Sequence, residues 1–95
     1  MIGVIATLTA AEGKGPELVK VFTELAAKVK ANEPGCLMYQ LTQSRTEPNV
    51  YKVLEMYSDE DALKHHGGTD YFKAAGAGIG ACLGGRPAIE YLDAV

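Results

Sequence analysis

Tryptophan is absent from the 95-residue chain, cysteine occurs only twice, and no apolar run is long. A helix that crosses a membrane needs about 20 consecutive apolar residues, so we expect no membrane span. The first residues show no charged segment followed by an apolar stretch and a cleavage site, as a secretion signal would. The sequence therefore predicts a cytoplasmic protein with no membrane partner.

The two cysteines, Cys36 and Cys82, lie far apart in the chain. They lack the spacing of a redox or zinc motif, and no histidine-rich segment accompanies them. We expect both to be buried thiols rather than a disulfide or metal ligands.

Positive charge is also scarce. Nine Lys and Arg residues against twelve Asp and Glu give a formal net charge of -3. Proteins that bind nucleic acid usually carry clustered Lys and Arg that neutralise phosphates. Nucleic acid is therefore not an expected partner.

The apolar patterns predict a single α+β domain over residues 1–95 that runs β-α-β-β-α-β. Runs rich in β-branched residues or alternating in polarity predict strands at 2–9, 36–43, 50–57 and 88–94. Pro16 suits the first turn of a helix, because the N–H that it lacks would have no partner there. Apolar residues at three- and four-residue spacing continue this first helix to about residue 32.

Two further helices are predicted between the third and fourth strands. Ser58 is the expected N-cap of the first of them, and Gly67 and Gly68 are expected to end it. The other should run from residue 70 to about residue 83, although interior glycines weaken it.

The middle strands predict a second copy of the chain. In the strand 50–57, one face should carry Tyr51, Val53, Glu55 and Tyr57, and the other Lys52, Leu54 and Met56. In the strand 36–43, Leu37, Tyr39 and Leu41 should point one way, and Cys36, Met38 and Gln40 the other. Both faces are largely apolar, yet no spare helix remains to cover the second. We therefore expect a homodimer in which two sheets pack about a two-fold axis.

Several motifs with known chemistry are missing. Residues 76–80 are glycine-rich but lack the preceding strand and the spacing of a phosphate-binding loop. His65 and His66 are adjacent, which aims them about 100° apart on a helix, so we expect no metal site. For His65 we prefer a surface role at the helix C-terminus, where the dipole favours a protonated imidazole. The five tyrosines could pack in a cavity and still hydrogen-bond an oxygen-bearing aromatic ligand.

Three ordered segments resemble the antibiotic biosynthesis monooxygenase family. They are residues 33–39 (EPGCLMY), 55–59 (EMYSD) and 62–66 (ALKHH), the last followed by Tyr71 and Phe72. The family pattern reads E-x-G-x-x-x-Y, then E-x-W-x-D, then A-L-x-x-H and a segment ending in Phe. Tyr57 stands where the family usually has tryptophan, and His66, not His65, falls on the family's histidine.

This resemblance implies a ferredoxin-like fold that dimerises into an α/β barrel, and a reaction that needs no metal or flavin cofactor. Members similar to quinol and anthrone monooxygenases use dioxygen directly. The match makes His66 the candidate base and Glu55 a residue that orients it or hydrogen-bonds the substrate. The predicted pocket for a small aromatic ligand is lined by Tyr39, Tyr51, Tyr57, Tyr71 and Phe72. The haem-degrading branch is disfavoured, since its pattern has tryptophan in place of His66 and histidine near Gly76.

Two other functions remain open at this point. The same barrel could hold a small molecule as a non-catalytic binding or regulatory dimer, because fold does not fix function. It could also serve a cofactor-free isomerase or lyase that acts on a related ring. The sequence does not name the substrate, nor does it say whether residues 76–85 form a lid.

Overall fold

The computed structural model describes residues 1–95 and contains four strands and three helices. In chain order these are β1 (Ile2–Thr9), α1 (Gly15–Asn32), β2 (Cys36–Gln43), β3 (Val50–Tyr57), α2 (Glu60–Gly68), α3 (Asp70–Cys82) and β4 (Ala88–Asp93). The strands form one antiparallel sheet in the order β2-β3-β1-β4. This is a ferredoxin-like arrangement, so the predicted α+β fold class is confirmed.

α1 covers one face of the sheet because its apolar residues recur along one side. Leu18, Phe22, Leu25 and Val29 are buried at three- and four-residue spacing. Burial of each such side chain stabilises the fold by about 1.5–3 kcal/mol before the cost of ordering the chain. Pro16 lies in the first turn, as the sequence predicts.

The ends of α2 differ from the sequence prediction. Asp59, not Ser58, is the N-cap, and its Oδ1 accepts a hydrogen bond of 2.8 Å from the Ala62 N–H. A carboxylate there also interacts favourably with the positive end of the helix dipole. Gly67 and Gly68 remain inside the last turn, and the break falls at Thr69, which is extended. Thr69 ends α2 because its hydroxyl donates to the His66 carbonyl while it accepts from the Phe72 N–H and caps α3.

β2 begins with a β-bulge between Cys36 and Met38. Cys36 pairs with Tyr57 and packs against the core, while Leu37 is 53% exposed. The prediction that Leu37 shares a face with Tyr39, and that Cys36 points away, is therefore wrong. A bulge places one extra residue in the strand and so reverses the alternation beyond it. For the same reason Cys36 is only half-buried, whereas Cys82 is fully buried, and both are free thiols.

The sheet face away from the helices is apolar in its centre. It carries Ile5, Leu54 and Met56 on the inner strands, with Met38 and Leu92 beside them on the edge strands. Met38 is 49% exposed and Leu92 is 42% exposed. We call this set the outer apolar face. None of the helices is both long enough and apolar enough to cross a membrane.

Candidate active site

A cavity of about 460 Å³ lies between the sheet and the helices α2 and α3. Val4, Ala6 and Leu8 of β1 form its apolar floor, and α2 and α3 form the opposite wall. Its open side lies at β4, where Ile89 and Tyr91 line it and stay 46% and 65% exposed. The volume is in the range of pockets that hold small organic ligands.

His66 lies in the cavity wall and is only 4% exposed. Its Nδ1 is 3.0 Å and 3.1 Å from the two carboxylate oxygens of Glu33. A carboxylate can only accept, so Nδ1 carries the proton and donates it to Glu33. Nε2 has no hydrogen-bond partner in the protein and is not sealed from solvent. The neutral ring therefore presents the unprotonated Nε2, an available base.

Glu33 is buried, with 4% of its surface exposed, directly after the last turn of α1. Its N–H donates to the Val29 carbonyl, which fixes the backbone at the helix end. The Tyr71 hydroxyl donates to Oε2 of the same carboxylate. Burial of a charge is costly unless partners satisfy it, and here an imidazole and a phenol do so.

Gly35 allows Glu33 to reach His66. A Cβ at residue 35 would lie 2.7 Å from the Ala62 Cβ and 3.2 Å from the Ser58 Oγ. Only a residue without a side chain lets the start of β2 approach α2 this closely. The glutamate and glycine of the motif at residues 33–39 thus act together, one as a partner of the histidine and the other as a spacer.

Three aromatic rings surround the imidazole of His66. Their centroids lie 5.0 Å away for Tyr39, 5.4 Å for Tyr57 and 4.6 Å for Phe72, all tilted against it. Phe22 stacks on Tyr39 at 5.1 Å and holds it from behind. Because the rings come from β2, β3 and α3, the packed core fixes the imidazole orientation.

Glu55 is the second ionisable residue that lines the cavity. The Tyr57 hydroxyl donates to its Oε1 over 2.6 Å. Burial raises the pKa of Glu55 to about 7, with the hydrogen bond from Tyr57 opposing the change and the charge of Glu33 adding to it. Glu55 can therefore hold or release a proton near neutral pH. It makes no hydrogen bond to His66, so the contact that orients the histidine belongs to Glu33.

The neighbouring phenols and thiol are poor bases. Burial raises the pKa of Tyr39 and of Tyr57 well above the ordinary value. Burial, with the hydrogen bond to Glu33, raises the pKa of Tyr71 to about 12. Burial and the charges of Glu33 and Glu55 raise the pKa of Cys36 to about 11. These groups stay protonated near neutral pH and act as hydrogen-bond donors or packing groups.

The seven predicted site residues separate into three groups. His66, Glu55, Tyr39 and Phe72 line the cavity. Tyr57 and Tyr71 lie behind it and bind Glu55 and Glu33. Tyr51 lies outside it, buried near the start of α1, where its hydroxyl accepts a weak hydrogen bond from Gln43.

Two other observations concern residues that could carry chemistry. His65 is exposed on the last turn of α2, as expected for a partner of the helix dipole. No group of three His, Cys, Asp or Glu side chains is arranged to hold a metal ion. Glu33 is the site residue that the sequence reasoning missed, although it is the glutamate of the E-x-G pattern.

Comparison with known proteins agrees with this geometry. The model of the family described as antibiotic biosynthesis monooxygenase matches residues 1–78. The chain belongs to this family, and the resemblance of its motifs is confirmed. Membership indicates monooxygenase-type chemistry. No curated protein matches the chain significantly.

Solved structures from several organisms share the fold. A Caulobacter crescentus CB15 protein, provisionally named an antibiotic biosynthesis monooxygenase, is 69% identical with a TM-score of 0.96, covering 99% of this chain and 89% of its own. A Pseudomonas aeruginosa protein is 32% identical with a TM-score of 0.87, covering 99% and 93%. A conserved Methanosarcina mazei Go1 protein is 26% identical with a TM-score of 0.90, covering 96% and 89%.

Proposed function

We propose that the chain is a cofactor-independent monooxygenase that oxidises a small aromatic quinol or phenolic substrate with O₂. The observation that carries this proposal is the pairing of His66 with Glu33 at the edge of an apolar cavity. The pairing leaves one imidazole nitrogen free to accept a proton. A substrate that becomes electron-rich on losing a proton can reduce O₂ itself, so the protein needs only a base, a fixed orientation and a dry cavity.

In the first step Nε2 of His66 removes a proton from the substrate. The ring then carries a positive charge beside the Glu33 carboxylate, which stabilises it. This arrangement resembles the buried carboxylate and histidine of a serine protease, in which the carboxylate also fixes the tautomer. The hydroxyl of Tyr71 keeps Glu33 in place while the charge on the imidazole changes.

In the second step the substrate anion passes one electron to O₂. The resulting substrate radical and superoxide combine to form a C–O bond, and protonation gives a hydroperoxide. Loss of water from this hydroperoxide leaves a carbonyl group, so a ring CH₂ and O₂ become C=O and H₂O. The substrate supplies all four electrons, and one oxygen atom enters the product while the other enters water.

Glu55 has the right position to handle the other proton. Its pKa of about 7 lets it exist in either form near neutral pH, and it faces the same cavity as His66. We assign it the role of hydrogen-bonding a second substrate oxygen and donating the proton that leaves with water. The apolar β1 floor excludes bulk water, which would otherwise divert the reactive intermediates.

The proposal includes a homodimer formed through the outer apolar face. In a lone chain, Met38 and Leu92 on this face would stay half-exposed beside other apolar residues. A second sheet packed against the first would remove this surface from water. Light scattering should give twice the 10.1 kDa of one chain. The substitution Leu54→Asp should yield the monomer, and the exposed Lys64→Asp should not. A cytoplasmic location is also part of the proposal and is tested by cell fractionation.

Oxygen consumption with a panel of quinols, naphthols and anthrones tests the chemistry. We expect at least one substrate to be consumed faster than in buffer, and His66→Ala to remove this acceleration. His65→Ala is the matched control, since that neighbouring ring is exposed. If ligands raise the melting temperature without oxygen uptake, the protein is a binding module and the proposal fails. Product formation without O₂ would identify an isomerase or lyase instead.

A further inference from the structure

α3 contains three interior glycines, Gly76, Gly78 and Gly80. Glycine disfavours helix more than any residue except proline. For Gly78 the packing gives a reason, because a Cβ there would lie 3.3 Å from Cγ1 of Val21 on α1. Close approach of the two helices therefore requires a small residue at position 78.

Gly76 and Gly80 have no such packing reason. A Cβ at either position would meet no atom within 4 Å, so the fold itself would accept a side chain. They are four residues apart on one side of α3, and both line the cavity. Between His66 and the open side of the cavity, this wall is therefore bare helix backbone.

The charges around the cavity are one-sided. Glu55 and His66 are the only ionisable lining residues apart from Tyr39 and Tyr91, and no Lys or Arg lines the cavity. The negative charge of Glu33 also acts on Glu55 from behind the wall. Since Glu33 already occupies His66, a carboxylate on a ligand would be buried without a cation to pair with it.

We infer that the cavity selects an uncharged, flat, fused-ring phenolic ligand whose edge lies against the α3 backbone at Gly76 and Gly80. A planar ring system can contact bare backbone closely, and a one-ring quinol would leave most of the cavity unfilled. The inference rests on the proposed function for the placement of the reacting oxygen at His66. It adds which ligands are refused, namely carboxylated ones, and which two residues set the available width.

The test measures binding, so it does not depend on turnover. The probes are a hydroxyanthraquinone, the same compound with a carboxyl group, and one-ring hydroquinone, titrated by absorbance at about pH 8, where Glu55 is ionised. We expect the neutral tricycle to bind at least about tenfold more tightly than either other probe. Glu55→Gln should recover part of the affinity for the carboxylated probe. Equal affinity for the neutral and carboxylated tricycles would overturn the inference.

Variants of α3 test the glycine wall. Gly76→Leu and Gly80→Leu should weaken binding of the neutral tricycle at least about tenfold and leave hydroquinone binding unchanged. Ala77→Leu and Ala81→Leu add the same bulk on exposed positions outside the cavity and should change neither. If a leucine variant fails to fold, Gly76→Ala and Gly80→Ala should show the same trend at smaller size. Unchanged tricycle affinity in folded variants contradicts the inference, whereas correct binding without oxygen uptake contradicts only the proposed function.

Discussion

The carboxylate of Glu33 and the imidazole of His66 lie 3.0 Å apart although 33 residues separate them in the chain. Glu33 ends α1, and His66 lies in the last turn of α2. Both are buried, so the pair depends on the packing of two helices against one sheet. Any change that moves α2 away from the start of β2 should therefore affect the site as well as the stability.

The substitution Glu33→Gln should reduce kcat strongly. The amide keeps the shape but loses the charge that stabilises protonated His66, and it can donate to Nδ1 and so favour the wrong tautomer. We expect a loss of roughly 100-fold or more, the range found for general acid–base groups. Steady-state oxygen uptake measures it. Glu47→Gln, on an exposed loop, is the control and should retain full activity.

The substitution Gly35→Ala should destabilise the fold by about 1–3 kcal/mol, the usual cost of overpacking. The new Cβ would lie 2.7 Å from the Ala62 Cβ. Urea denaturation measures the loss, and Ala62→Gly in the same chain should restore part of it. Gly85→Ala is the control, since a Cβ there meets nothing within 4 Å. Additive effects of the residue 35 and 62 substitutions would show that this contact does not hold α2 in place.

Glu55 should make the fold less stable as pH rises. Its ordinary pKa of 4.5 is raised to about 7, so the folded state binds the proton more tightly than the unfolded state does. Its stabilising contribution is complete below about pH 4.5 and is lost as pH rises through about 7, by up to about 3 kcal/mol. Urea denaturation of wild type and Glu55→Gln from about pH 4 to 8 should give curves that diverge over this window. Parallel curves would mean that Glu55 ionises as freely in the folded state as in the unfolded one.

Alanine at the α3 glycines should separate packing from cavity positions. Gly76→Ala and Gly80→Ala should each stabilise the protein by about 0.5–1 kcal/mol, since alanine favours helix and no atom obstructs the Cβ. Gly78→Ala should gain less or lose stability, because its Cβ would press on Val21. Thermal denaturation of the three variants measures the order. A uniform gain at all three positions would contradict the assigned contact between α1 and α3.

The main elements were predictable because their signals are local. Alternation of apolar residues sets the faces of β3, and Pro16 with the apolar stripe from Leu18 to Val29 sets α1. The bulge at Cys36 was not predictable, since it depends on how the bent start of β2 meets β3. The N-cap was also misplaced by one residue, because Ser58 and Asp59 are both good caps and only the backbone conformation distinguishes them.

The site was predictable in part for the same reason. The motif resemblance selected His66, Glu55, Tyr39 and Phe72, which the fold does bring to one cavity. Tyrosine content alone could not separate Tyr51, which lies near α1, from the residues around His66. Glu33 was overlooked because a glutamate before Pro34 and Gly35 looks like part of a helix end, and its partner is distant in the chain. A glutamate in the family pattern with no assigned role was the signal that could have found it.

Nitrogen NMR of isotopically labelled histidine tests the central claim most directly, because it reads which imidazole nitrogen of His66 carries the proton. At a pH where the ring is neutral, we predict the proton on Nδ1, with Nε2 unprotonated and facing the cavity. Exposed His65 in the same spectrum provides the reference for an unconstrained ring. A proton on Nε2 of His66 would contradict the account, since the histidine could then not accept one from a substrate.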